Sequence, residues 1–181
     1  MKRRKKLPIP STIIQLTQGF KTIVDKKDLP KVSKYFWHVL KLKNGNTNYA
    51  RTTINCPNKR QTISMHRFIL NAKKGQEVDH INTNGLDNRR SNIRICTRIE
   101  NCMNSKKIDQ NKRKTSSVYK GVSFDRENNK YRARIKYNGK LIYLGRFKNE
   151  YDAAESYNQA AAKLFGKFAK LNKINTLSCL I

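Results

Sequence analysis

The sequence predicts an α+β protein built from small units, and three observations carry that prediction. Short β-rich runs fill the first third of the chain: Ser11 to Leu16, Phe20 to Val24, Trp37 to Leu42, Asn48 to Ile54 and Gln61 to Met65. The last third pairs three runs of period-two alternation with one amphipathic stretch, Glu150 to Phe165. Only 37% of the 181 residues are hydrophobic, which favours several modest cores over one large one.

The early runs are separated by turn chemistry at Leu29-Pro30, Lys43-Asn44-Gly45-Asn46 and Asn55-Cys56-Pro57-Asn58, and the Asn44-Gly45 step reads as a hairpin. A short apolar helix is expected over 66–71, with a loop at Lys73-Lys74-Gly75. A strand over 77–81, a long polar loop, a strand over 93–96 and a helix over 98–105 follow. Between Ser105 and Ser117 only Ile108 is sizeable and apolar among Lys106, Lys107, Lys112, Arg113 and Lys114. Such a segment cannot bury itself and reads as a linker. A strand is expected to open at Ser117 and run to Phe124. The final helix has Asn149 as N-cap and Gly166 as its stop. The resulting division is a β-rich extension (1–65), a strand–loop–strand–helix unit (66–105), a basic linker (106–116), a sheet-and-helix module (117–172) and a tail (173–181).

Charge selects the class of partner. Forty Lys and Arg face 12 Asp and Glu, a net charge of +28, and a chain so basic is expected to bind a polyanion, nucleic acid first. No apolar run approaches the roughly 18 residues of a membrane helix. The start, Met1-Lys2-Arg3-Arg4-Lys5-Lys6, has no apolar stretch behind it and is not a secretory signal. Cys56, Cys96, Cys102 and Cys179 form no C-x-x-C pair, which suits reduced thiols and argues against a zinc ribbon. An intracellular protein is expected, in the cytoplasm or nucleoid of a bacterial or phage-infected host.

Two places gather chemistry. The first is Val78-Asp79-His80-Ile81-Asn82, with Asp87-Asn88-Arg89-Arg90-Ser91-Asn92-Ile93-Arg94 and Thr97-Arg98-Ile99-Glu100-Asn101. Asp79 and His80 point to opposite sides of a strand end and can serve different roles around one point. Thr97 and Glu100 fit a capping box, which puts Asn101 in the first turns of a helix. Oxygen donors from Asp79 and Asn101 suit a hard ion such as Mg²⁺, and a neutral imidazole suits proton abstraction from water. Asn104 is the alternative to Asn101, nearly one turn further on. His66 reads as structural, and His38 as core or strand surface.

This ordered set resembles the HNH, or ββα-metal, endonucleases, most closely the phage intron-encoded homing type. The resemblance covers about residues 66 to 105 and is carried by His66-Arg67, Val78-Asp79-His80, Asp87-Asn88-Arg89, Asn92-Ile93-Arg94 and Glu100-Asn101 ahead of Asn104. It implies that His80 is the general base, that Asp79 and Asn101 hold one divalent metal, and that Asn92 fastens the loop. The family name implies a second histidine where this chain has Asn101, which makes Mg²⁺ or Mn²⁺ the expected ion and not Zn²⁺. Arg89, Arg90 and Arg94 are expected on phosphates, each with a solvated charge as its alternative.

The second place is Lys130-Tyr131-Arg132-Ala133-Arg134-Ile135-Lys136-Tyr137, where every even-numbered residue is cationic and every odd one packs. Asn138-Gly139 is a two-residue turn. Ala153, Ala154, Tyr157, Ala160, Ala161, Leu164 and Phe165 form one helical stripe. With Tyr119-Lys120-Gly121-Val122, Leu144-Gly145-Arg146-Phe147 and Asn172, this half resembles the plant Apetala-type ethylene-response-factor domain, a three-stranded sheet on one helix. The resemblance implies DNA contact from Lys120, Ser123, Arg134, Lys136 and Tyr143. Arg132 and Arg134 suit either guanine edges or phosphates. Several of the plant domain's arginines and tryptophans are replaced, so its target site does not carry over.

Joined together, the parts predict a monomeric, site-specific homing endonuclease acting on double-stranded DNA. The linker lysines Lys106, Lys107, Lys112 and Lys114, with Arg113, are expected on the backbone. The rival expectation is a transcriptional regulator with an inactive nuclease fold, and a weaker one is RNA binding.

Overall fold

The computed structural model of the chain describes residues 11–42, 47–56, 59–107 and 115–174. The expected Asn44-Gly45 hairpin, the basic start, and Lys112, Arg113 and Lys114 lie outside these residues. The chain divides into two compact units, Met1–Asn101 and Cys102–Ile181, and its class is α+β with several small antiparallel sheets.

In the first unit, β1 (Ser11–Gln15) pairs with β2 (Lys21–Asp25). A single turn of helix, α1 (Leu29–Val32), carries Pro30 in its first turn, where its missing N–H costs nothing. A three-stranded sheet follows, with β3 (His38–Lys41), β4 (Asn48–Cys56) and β5 (Lys59–Ser64) in sequence order. α2 (Met65–Leu70) ends at Asn71, whose φ of 51° places it in the left-handed region that asparagine tolerates. β6 (Glu77–His80) pairs with β7 (Ile93–Cys96), and α3 (Arg98–Met103) comes after. The last helix is shorter than its expected 98–105.

The first unit's core crosses the expected boundary at residue 65. Leu16, Val24, Val32, Trp37, Val39 and Ala50 pack with Met65, Ile69 and Ile93 in one buried cluster. Trp37 is nearly inaccessible and donates its indole N–H to Val32 O at 2.8 Å, so its polar atom is satisfied as its ring is buried. The extension therefore shares its hydrophobic stabilisation with the elements that carry Asp79 and His80.

The long loop between β6 and β7 is held by that extension. Ile23 of β2 donates to Leu86 O at 2.9 Å and accepts from Asn88 N at 2.8 Å, a parallel bridge outside any regular sheet. Gly85 donates to Thr47 Oγ1 at 2.8 Å, and a side chain there would overlap Asn48 O and the Tyr49 ring. Glycine is required at this point by close approach.

In the second unit, β8 (Val122–Asp125), β9 (Lys130–Tyr137) and β10 (Lys140–Phe147) form one antiparallel sheet with β9 central, packed on α4 (Glu150–Phe165). The helix begins where the sequence places it, with Asn149 Oδ1 accepting from Asp152 N at 2.8 Å. Ala153, Ala154 and Ala161 are fully buried, which lets the helix approach the sheet closely. The first strand is shorter than expected, because residues 117–121 form turns. Gly121 has φ +79°, and a side chain there would overlap the Tyr157 ring and Arg134 O. The strand can begin only after that residue. No helix among the described residues is long and apolar enough to cross a membrane.

Candidate active site and candidate DNA-reading face

His80 and Asp79 end β6, with Asp79 opposite Arg94 and His80 opposite Ile93 on β7. Both are buried. Burial holds the His80 imidazole below the ordinary histidine range, opposed by its contact with Asn88 and by the Asp79 and Asp87 carboxylates, so the ring is neutral near pH 7. Its neighbours are aromatic. The His66 ring stands edge-on at 4.9 Å between centroids and the Tyr49 ring lies 5.8 Å away. His66 is itself pushed down to about 3 by burial, then by His80 and Arg67, and its Nδ1 is buried with no hydrogen-bond partner among the described residues.

Asp79 Oδ2 accepts from Arg94 Nε at 2.9 Å and Nη2 at 2.6 Å. The capping box is present: Thr97 N donates to Glu100 Oε2 at 2.8 Å and Glu100 N to Thr97 Oγ1 at 3.2 Å. It starts α3 so that Asn101 Nδ2 donates to Glu77 Oε2 at 2.5 Å. That bond turns the Asn101 carbonyl oxygen away from Glu77. No trio of His, Cys, Asp or Glu among the described residues is grouped to form a protein-only metal cage. The donors at Asp79 and Asn101 are oxygens alone, and they fit a hard divalent ion that keeps waters and accepts phosphate oxygens.

Asn92 is buried and ties both ends of the loop, donating from Nδ2 to Asp87 O at 2.7 Å and accepting at Oδ1 from Asn82 N at 3.0 Å. The three arginines expected on phosphates are each committed to a carboxylate. Arg89 forms a two-point pair with Asp87, at 2.7 and 2.6 Å, which draws the Asp87 carboxyl below its usual range. Arg90 grips Asp28 through Nε at 2.9 Å and Nη2 at 2.8 Å, and also donates to Ile69 O. Arg94 holds Asp79. These guanidinium groups tie the loop to Asp28 and β7 to β6.

In the second unit, the register of β9 sorts its residues into two faces. Ala133 and Ile135 are buried, and Phe124 stacks edge-on against Tyr131 at 5.1 Å on the helix side. Lys130, Arg132, Arg134 and Lys136 therefore share the outer face with Ser123, opposite Arg132, and Tyr143, opposite Arg134. One carboxylate interrupts this row. Asp125 is buried, and its Oδ2 lies 3.0 Å from Arg146 Nε and 3.4 Å from Arg132 Nη2. Sequence reading passed over Asp125, since no spacing rule marks a strand-end acid as a partner for arginines 7 and 21 residues away.

Two expected contact lysines turn inward. Lys120 Nζ donates to Met103 O and Ser105 O, each at 2.8 Å, and burial pushes its pKa down to about 8. Lys107 Nζ donates to Ser117 O at 2.8 Å and Tyr119 O at 2.7 Å. Each ties backbone carbonyls of separate segments together. Lys106 is exposed.

No protein-family model and no solved structure matches the chain. Among curated proteins, it is 33% identical over 170 residues to a protein of Acanthamoeba polyphaga mimivirus named an uncharacterized HNH endonuclease, covering 91% of this chain and 81% of the relative. It is 38% identical over 68 residues to the APETALA2-like protein 2 of Oryza sativa, and 39% identical over 67 residues to the AP2-like ethylene-responsive transcription factor TOE2 of Arabidopsis thaliana. These plant matches take in 38% and 37% of this chain but only 16% and 14% of the relatives. The viral match runs nearly end to end, across Asp79, His80 and both units alike: the chain belongs to the HNH endonuclease family.

Proposed function

We propose that the chain is a site-specific DNA endonuclease of the homing type, hydrolysing phosphodiester bonds at His80 with one divalent metal, Mg²⁺ or Mn²⁺. The observation that carries the reading is His80 itself, a neutral, buried imidazole next in sequence to a buried carboxylate. His80 takes the proton from the attacking water. Asp79 and Asn101 would hold the metal, whose bound form supplies charge neutralisation at the scissile phosphate and the leaving oxygen. Asn92 keeps the loop closed around the site, and the Asp87–Arg89 pair stiffens it.

The outer face of β8–β10 is the DNA-reading surface, with Arg134, Lys136, Ser123 and Tyr143 toward the duplex. A row of like charges two residues apart is stable chiefly when a polyanion lies across it. Tethered to a nuclease of low intrinsic preference, such a surface raises local concentration at chosen sites. The proposed working form is a monomer on double-stranded DNA.

The test is cleavage of supercoiled plasmids carrying candidate inserts, with Mg²⁺ or with chelator, by wild type and His80→Ala. The expected result is metal-dependent nicking or linearisation, lost by about 10²-fold or more in the variant while DNA affinity holds. Equal cleavage by both proteins would remove His80 from the chemistry. Tight, sequence-selective binding with no cleavage of any insert would favour a regulator with an inactive nuclease fold.

A further inference from the structure

One buried amide beside the candidate base has no part in the chemistry described so far. Asn88 is fully buried, and its Oδ1 lies 3.2 Å from His80 Nε2. Its Nδ2 lies 2.8 Å from Thr22 Oγ1. Thr22, also fully buried, belongs to β2, and its hydroxyl lies 2.7 Å from Leu86 O.

These distances settle the protons one after another. A hydroxyl has a single proton, and a carbonyl oxygen has none to give. At 2.7 Å the Thr22 and Leu86 oxygens would set lone pair against lone pair unless the Thr22 proton lies between them. The Met65 sulfur, 3.9 Å from Thr22 Oγ1, is too weak an acceptor to draw that proton away. Thr22 Oγ1 must therefore accept from Asn88, so the NH₂ of Asn88 faces Thr22 and its carbonyl oxygen faces His80. That oxygen only accepts, and the hydrogen between it and the imidazole belongs to the ring.

We infer that Asn88, held by Thr22 of β2, is a positioning residue that fixes His80 as its Nε2–H tautomer and leaves the lone pair on Nδ1. The consequence for catalysis rests on the nuclease reading above; the tautomer does not. The β-rich extension then supplies a proton-ordering group as well as packing, since the chain of bonds passes through Thr22 of its second strand. A ring with its lone pair on Nε2 would face Asn88 with the base and could not take a proton from water on the Nδ1 side.

The experiment is ¹⁵N–¹H long-range NMR of histidine-labelled full-length protein at pH 8, with the His80 signals identified by their loss in His80→Gln. Wild type is expected to show one tautomer, with Nε2 protonated and its hydrogen slow to exchange. Thr22→Val removes the acceptor while keeping the shape. Its Asn88 amide is released to turn, Nδ1–H signal is expected to appear, and kcat is expected to fall about tenfold at unchanged KM, a fraction of what a general base contributes. Thr22→Ser is expected to restore both values. A wild-type Nδ1–H ring would overturn the inference. So would folded Thr22→Val and Asn88→Leu proteins that both keep the wild-type tautomer and rate. Undiminished cleavage by His80→Ala would instead overturn the nuclease role of His80 and leave the tautomer result standing.

Discussion

The two units use the same abundance of arginine in opposite ways. Around His80, Arg89, Arg90 and Arg94 each meet a carboxylate that is only 4 to 6% exposed, and their charge is spent on closing a loop. On the outer face of β8–β10, Arg134 and Lys136 meet no carboxylate among the described residues, while Arg132 and Arg146 share Asp125. A guanidinium becomes scaffold when a buried acid lies within reach and stays open to an anionic ligand when it stands in a solvated row. Net charge cannot distinguish the two uses; the position of 12 acids among 40 bases does.

The largest test of that contrast is Arg94→Ala. Asp79 and Arg94 are both largely buried, and removing one partner of such a pair typically costs about 3–5 kcal/mol. Urea unfolding is expected to show this loss, with part of it recovered by millimolar Mg²⁺ if Asp79 helps hold the ion. No loss of stability would show that the pair is incidental. Arg134→Ala tests the other unit: affinity for a preferred site is expected to drop by about 1–3 kcal/mol, or the salt slope by about 0.9 if it contacts phosphate. Arg89→Ala is expected to change neither and to lower stability instead. A reduced salt slope in Arg89→Ala, measured by fluorescence anisotropy, would erase the distinction.

A further test of the comparison concerns pH. His66 is pushed from its ordinary 6.5 to about 3 by burial, so the unfolded chain binds a proton that the folded chain refuses. Stability from this group is complete above about pH 6.5 and is lost as pH falls toward 3, at no more than about 1.4 kcal/mol per pH unit. His66→Phe is expected to flatten that part of the profile. The reading face contains no histidine, so binding there is expected to lack a matching step over the same window.

Local signals were legible wherever the neighbouring sequence supplies the partner. The alternation of β9, the Asn149 cap and Gly166 stop of α4, and the reciprocal Thr97–Glu100 bonds all lie within a few residues of the groups they organise. The strand expected from Ser117 failed because Gly121 answers to Tyr157, 36 positions away, and not to its own neighbours. Lys107 reads as a backbone contact and Lys120 as a DNA contact for the same reason: nothing nearby in sequence announces the carbonyls they staple.

By itself the sequence determined the class of the protein, the order of its small units, the Asp79–His80 step and the cationic face of β9, because period, caps and charge are short-range properties. Tertiary structure decided which charges are spent inside and which amide meets His80. Thr22 stands 66 residues before Asn88, and the bridge of β2 to the loop exists only once Val24, Trp37 and Met65 have closed a common core with Ile93. Hydrogen bonds hold their direction over about 3 Å, whereas the chain distances that bring them together are set by the burial of apolar surface elsewhere.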